Sequence, residues 1–118
     1  MTPGAPLFHR YVALGDSISI DEYPGLDWQE RNRLRAPVSG LGAASLLFAN
    51  DDQAWPDFRG TDLRTLCPGI RFHSLAVDGG VTTHVLDRQL PRLGNGDRRP
   101  TLVTLTVGGN DLLQLLRP

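Results

Sequence analysis

The stretch YVALGDSIS, residues 11–19, decides how the rest of the chain is read. Four mostly apolar residues, Tyr11-Val12-Ala13-Leu14, run directly into Gly15-Asp16-Ser17. A short buried strand therefore stops at a tight polar turn that presents a hydroxyl. Two readings follow: a plain strand-to-loop turn, or a serine nucleophile with partners elsewhere in the chain.

Two further segments have the same form. Residues 72–77 and 102–107 are short, apolar and β-branched, and each leads into glycine: Asp78-Gly79-Gly80 after the first, Gly108-Gly109-Asn110-Asp111 after the second. Such runs fit strands of a parallel sheet buried on both faces. Between them, Thr82 to Leu90 places Val85, Leu86 and Leu90 at helical spacing, with Thr82 or Thr83 as N-cap. Leu93-Gly94-Asn95-Gly96-Asp97 closes that helix, and Pro100 opens the next strand. A second helix is expected over residues 57–66, with Phe58, Leu63 and Leu66 on one face and Pro68-Gly69 at its end. The run Leu41–Phe48 is open between helix and strand, and Tyr23-Pro24-Gly25 reads as a turn.

Strand alternating with helix argues for an α/β fold with a parallel sheet and right-handed crossovers. In such sheets, sites form beyond the carboxyl ends of the strands. The three polar, glycine-rich endings should therefore gather on one edge.

With that placement, the chain resembles the N-terminal part of the SGNH hydrolases, the GDSL-type esterases and lipases. Residues 11–17 (YVALGDS) match the first family block, residues 75–83 (LAVDGGVTT) the second, and residues 107–111 (VGGND) the third, G-x-N-D. The resemblance implies a flavodoxin-like three-layer sandwich, residues 1–118 being its N-terminal part, with further strands and helices beyond. It implies that Ser17 is the nucleophile and that Asn110 supplies an oxyanion-hole amide. A glycine N–H supplies another: Gly79 counting from Val77-Asp78, Gly80 counting back from Thr82-Thr83. Asp16 and Gly109 are the adjoining substrate-side positions, with Asp16 also ordering the turn. The implied substrate is a small-molecule ester or acyl group, with no cofactor. Glycine suits a backbone donor because a side chain would obstruct close approach, and fixed donors at a developing oxyanion are worth on the order of 3 kcal/mol each.

Two departures stand out. Ser74 occupies the position where the second block commonly has Asn, and two glycines stand where one is usual. The family's general base is a histidine in a C-terminal D-x-x-H block. Here the residues three before His9, His73 and His84 are Pro6, Ile70 and Val81. Without a base, a serine hydroxyl is a weak nucleophile, so the expectation is a catalytically incomplete chain. The alternative is a non-catalytic α/β ligand-binding module. The nucleophile elbow G-x-S-x-G fails at position 19, which is Ser, and neither G-x-G-x-x-G nor the P-loop spacing is present.

Composition bounds the remaining classes. A net charge of −1 over 118 residues gives no electrostatic reason to expect nucleic acid or an anionic membrane surface. All twelve basic residues are arginine, scattered apart from Arg31, Arg33 and Arg35, which Asp27 and Glu30 precede. One cysteine, Cys67, excludes an internal disulfide and a cysteine-based metal site, and reads as a buried spacer at a helix end. The three histidines are widely separated and suggest no metal. Neither a signal peptide nor a membrane-spanning run is visible, which makes the cytoplasm the expected location. Leu112, Leu113, Leu115 and Leu116 need something to pack on. Residues 102–107 should form an open sheet edge, so self-association is expected.

Overall fold

The computed structural model describes residues 7–32, 40–94 and 98–117. Three strands, β1 (Arg10–Gly15), β2 (Arg71–Ser74) and β3 (Thr101–Thr106), form a parallel sheet in the order β2-β1-β3. Tyr11 pairs with Phe72 on one side and Leu102 on the other, and the β1–β3 register continues to Gly15 opposite Thr106. This is an α/β fold.

The central strand explains its own composition. Successive side chains of a strand point to opposite faces, and β1 is covered on both. Tyr11 and Ala13 pack with Ala44, Leu63, Cys67 and Ile70, whereas Val12 and Leu14 pack with Leu75 and Leu93. The first face is roofed by α2 (Ala43–Phe48) and α3 (Leu63–Leu66). The second lies under one continuous helix made of α4 (Thr82–His84), a π segment (Val85–Gln89) and α5 (Leu90–Leu93). Because β1 lies between β2 and β3, the two crossovers travel in opposite directions across the sheet. A common hand then puts them on opposite faces. Aromatic stacking runs through the first face: Tyr11 on Phe72 at 5.1 Å and Phe72 on Phe48 at 5.2 Å between ring centroids. Burial pushes the Tyr11 phenol pKa up, and its 2.8 Å hydrogen bond with Thr104 Oγ1 pulls partly the other way.

Several expectations are corrected. The helix over residues 57–66 is broken. A 3₁₀ turn (Pro56–Phe58) ends before Gly60, whose φ of +79° no helix accommodates, and α3 starts afresh after the Asp62 N-cap. Phe58 and Leu66 are consequently exposed, and of the three expected core residues only Leu63 is buried. Leu41–Phe48 resolves into helix α2, and the polar stretch after Tyr23-Pro24 forms α1 (Gly25–Arg31). The helix after Gly80 buries Val85 and Gln89, not Leu86 and Leu90: residues 85, 89 and 93 are spaced four apart and share the side that faces the sheet. Its N-cap position is Val81, which has no capping side chain of its own. Asn95 to Asp97 and the arginines at 33 and 35 lie outside the described residues.

Among the described residues β3 pairs with β1 alone, and its other edge is open. Val103 and Leu105 are exposed there. The helix that follows, α6 (Gly109–Leu116), exposes all four of its leucines, Leu115 most at 81%. No helix among the described residues is long and apolar enough to cross a membrane.

Candidate functional site

The site is built outward from Gly15. Its φ of +128° lies where side chains are disfavoured, and a Cβ there would sit 1.9 Å from the Thr106 carbonyl oxygen. Only glycine allows β1 to run that close to β3 and then turn sharply. The next N–H, of Asp16, donates to the same Thr106 carbonyl at 2.9 Å.

Asp16 lies beneath the turn. Its side chain is buried, and Oδ1 accepts from the Ile18 N–H and from Thr106 Oγ1, each at 3.1 Å. Thr106 Oγ1 has one proton, and it goes to Asp16, so the 2.7 Å bond between Thr106 and Ser19 is donated by Ser19 Oγ. A directed chain, Ser19 to Thr106 to Asp16, thus ties the turn to the end of β3. Asp16 is scaffold here: its carboxylate is engaged inward. Ser17 alone in this turn is left half-buried and uncommitted, since neither its Oγ nor its N–H has a partner among the described residues.

The second and third strand endings join this one. Asn110 Nδ2 donates to the Gly80 carbonyl at 3.0 Å, which leaves its second N–H to spend. Asp111 accepts from the Thr82 N–H and hydroxyl at 3.0 and 2.9 Å, supplying from across the site the N-terminal cap that α4 lacks. The two glycines are not equivalent. Gly80 is buried, donates its N–H to Val77 O at 3.2 Å, and would put a Cβ 2.8 Å from the Gly15 carbonyl oxygen. Gly79 is exposed at φ +75°, with open space around it and an N–H that has no acceptor among the described residues. Gly109 is exposed at the start of α6.

Of the histidines, His73 is exposed on β2 and His9 precedes β1. His84 belongs to the site's support: its Nδ1 meets Gln89 Nε2 at 3.0 Å. Gln89, which no motif reading singled out, is buried at 1% exposure and holds Gly15 through both backbone groups. Its only trace in the sequence is a polar residue four positions after buried Val85, on the side of the helix that apolar residues should fill.

Asp21 accepts from the Gly40 and Gly42 N–H groups at 2.6 Å each, fixing Gly40 and Gly42 just ahead of α2. An apolar cleft of ≈ 280 Å³ lies between α2 and the 3₁₀ turn, lined by Leu46, Leu47, Trp55 and Phe58 among others, and a second of ≈ 480 Å³ adjoins His84 and Gln89. Ser17 lines neither of them, so the hydrogen-bond geometry, not cavity size, marks the site. No group of three or more His, Cys, Asp or Glu among the described residues is placed to hold a metal ion.

The arrangement offers an uncommitted hydroxyl on a rigid turn, beside strand endings that retain unspent N–H donors. No family model, curated protein or solved structure matches this chain.

Proposed function

We propose that this chain carries the nucleophile half of a serine ester hydrolase of the SGNH type. In this reading the order β2-β1-β3 begins the flavodoxin-like order 2-1-3-4-5, and the substrate meets the β1/β3 switch point. Ser17 Oγ attacks the ester carbonyl, its proton passes to a base, the alcohol leaves, and water later releases the acid from the acyl-serine. The oxyanion is held by the N–H groups of Ser17 and Gly79 and by the unspent Asn110 amide proton. The observation that carries the reading is the contrast within one turn: the Asp16, Ile18 and Ser19 N–H groups and the Ser19 hydroxyl are hydrogen-bonded, and the Ser17 hydroxyl and N–H have no partner among the described residues.

The base is the missing part. Residues 1–118 contain no Asp-x-x-His, and His84 Nδ1 is engaged by Gln89. The oxyanion hole and binding alone leave a residual effect. The 118-residue chain is therefore expected to acylate slowly and turn over poorly. A non-catalytic binding module is the second reading, and the same absence favours it.

The test is phosphonylation by a fluorophosphonate, mapped by peptide mass spectrometry, with and without added imidazole as an external base. The expected result is a single adduct on Ser17, faster with imidazole and absent in Ser17→Ala, while buried Ser19 stays unmodified. A folded chain that acquires no Ser17 adduct, even with imidazole, would overturn the hydrolase reading and leave the binding module.

A further inference from the structure

In a regular parallel ladder the Gly15 N–H would pair with the carbonyl of Leu75, because Leu75 N–H already donates to Ala13 O at 2.8 Å and Val77 N–H to Gly15 O at 3.1 Å. It does not. Gln89 Oε1 takes that N–H at 2.7 Å, and Gln89 Nε2 donates to the Gly15 carbonyl at 2.9 Å. A side-chain carboxamide has inserted at the end of the sheet and pairs with Gly15 as a strand backbone would. β2 ends at Ser74, just before this point.

The orientation of the amide is dictated by its partners. Gly15 N–H can only donate and Gly15 O can only accept, so Oε1 must face the first and Nε2 the second. The remaining Nε2 proton then points at His84 Nδ1, which must be the bare nitrogen of the ring. His84 is thereby held with its proton on Nε2. All of this occurs at the end of a π segment, an irregularity frequent at functional sites. A carboxamide at this depth is costly unless fully paired, and this one is paired throughout.

We propose that Gln89 is the positioning residue of the nucleophile turn. It fixes Gly15, two residues before Ser17, from the helix side, while Thr106 fixes Asp16 from the β3 side. It does not touch substrate. Its effect is to hold Ser17 Oγ and the Ser17 N–H in register with the other strand endings, where displacement of about 1 Å can cost on the order of 100-fold in rate. The kinetic part rests on the hydrolase reading above; the clamp itself does not.

The experiment compares the wild-type chain with Gln89→Met, near-isosteric and without polar atoms. Two amides report on the turn without bonding to Gln89: Asp16 N–H, on Thr106 O, and Ile18 N–H, on Asp16 Oδ1. Their hydrogen exchange should quicken at least tenfold in Gln89→Met while Tyr11 to Leu14 stay protected. The rate of Ser17 phosphonylation per folded molecule should fall at least tenfold. Ring ¹⁵N shifts should show His84 as the Nε2–H tautomer in the wild type and as a mixture in the variant. Unchanged exchange at Asp16 and Ile18 in a folded variant would overturn the proposal, as would an unchanged labelling rate. Where the wild type itself is not labelled, the hydrolase reading fails alone, and the exchange result still decides the clamp. Should Gln89→Met not fold, the wild type decides: an unprotected Gln89 side-chain amide or a His84 Nδ1–H tautomer would overturn it.

Discussion

Replacing Thr106 by valine removes one oxygen and keeps the shape, so it isolates the link between the end of β3 and the Ser17 turn. Thr106 Oγ1 donates to buried Asp16 and accepts from Ser19. The valine methyl offers neither, and it faces a carboxylate that keeps only the Ile18 N–H. Losing a hydrogen bond to a charged group costs about 1.5–3 kcal/mol and a neutral one about 1, so Thr106→Val should destabilise by about 3 kcal/mol. Ser19→Ala removes only the outer bond, at about 1 kcal/mol. Once Thr106 is gone, Ser19 has nothing left there to lose, so the double variant should also stand near 3, with a coupling of about 1 kcal/mol. Urea unfolding followed by circular dichroism reads all four corners of the cycle. With a slope of about 2 kcal/mol/M, the Thr106→Val midpoint should fall by about 1.5 M. A Thr106→Val variant within about 0.5 kcal/mol of wild type, or strict additivity with Ser19→Ala, would refute the directed chain from Ser19 to Asp16.

Asp62 and the apolar edge supply two more tests. Burial works against ionisation of Asp62, but the Thr65 hydroxyl and the N–H groups of Asn50 and Thr65, with the Arg64 charge, outweigh it and hold the carboxyl below its ordinary range. Asp62→Ala should therefore cost about 2 kcal/mol through the lost cap and the stranded Asn50 N–H. A lowered folded pKa stabilises above the unfolded value, so the gap in Tm should be full above about pH 4 and close as pH falls through the folded pKa; a pH-independent gap would contradict it. The open β3 edge and the leucines of α6 should make the chain self-associate at micromolar concentration, and Leu112→Glu with Leu115→Glu should shift sedimentation equilibrium toward monomer. A wild-type chain that is monomeric throughout would count against that.

The central strand was legible because β1 obeys one strong rule: a strand covered on both faces is apolar throughout, and Tyr11 to Leu14 are; residues 72–77 and 102–107 were expected to be buried likewise, but β2 ends at Ser74 and no residue of β2 or β3 is buried. The endings were legible for a related reason, since Gly15 must turn against Thr106 and no other residue fits. The helices were harder. Periodicity assigned Phe58, Leu63 and Leu66 to one face, but Gly60 and the Asp62 cap divide that stretch, and local turn chemistry prevailed over spacing. The same counting placed Leu86 and Leu90 inward. The face that meets the sheet carries Val85, Gln89 and Leu93, four residues apart, and counting apolar residues passed over it because one of the three is a glutamine.

The site divides along the same line. Ser17, Gly79, Gly80 and Asn110 were singled out as candidates because their residue types and their position after strands are themselves the signal. Thr106, Ser19, Gln89 and the Thr82 cap from Asp111 were not, because each acts through a partner distant in sequence: Thr106 is 90 residues from Asp16, and Gln89 is 74 from Gly15. No local pattern encodes such pairs, yet each leaves a weak mark. Thr106 puts a hydroxyl on the last residue of β3, on the face it shares with Leu102 and Thr104, and Gln89 puts an amide where a leucine would bury more surface. A polar group withdrawn from water costs stability unless a partner meets it. Here both meet the Gly15–Asp16 segment, from opposite sides. Two such costs converging on the two residues before one uncommitted serine make a stronger argument for Ser17 than the Gly-Asp-Ser triplet makes by itself.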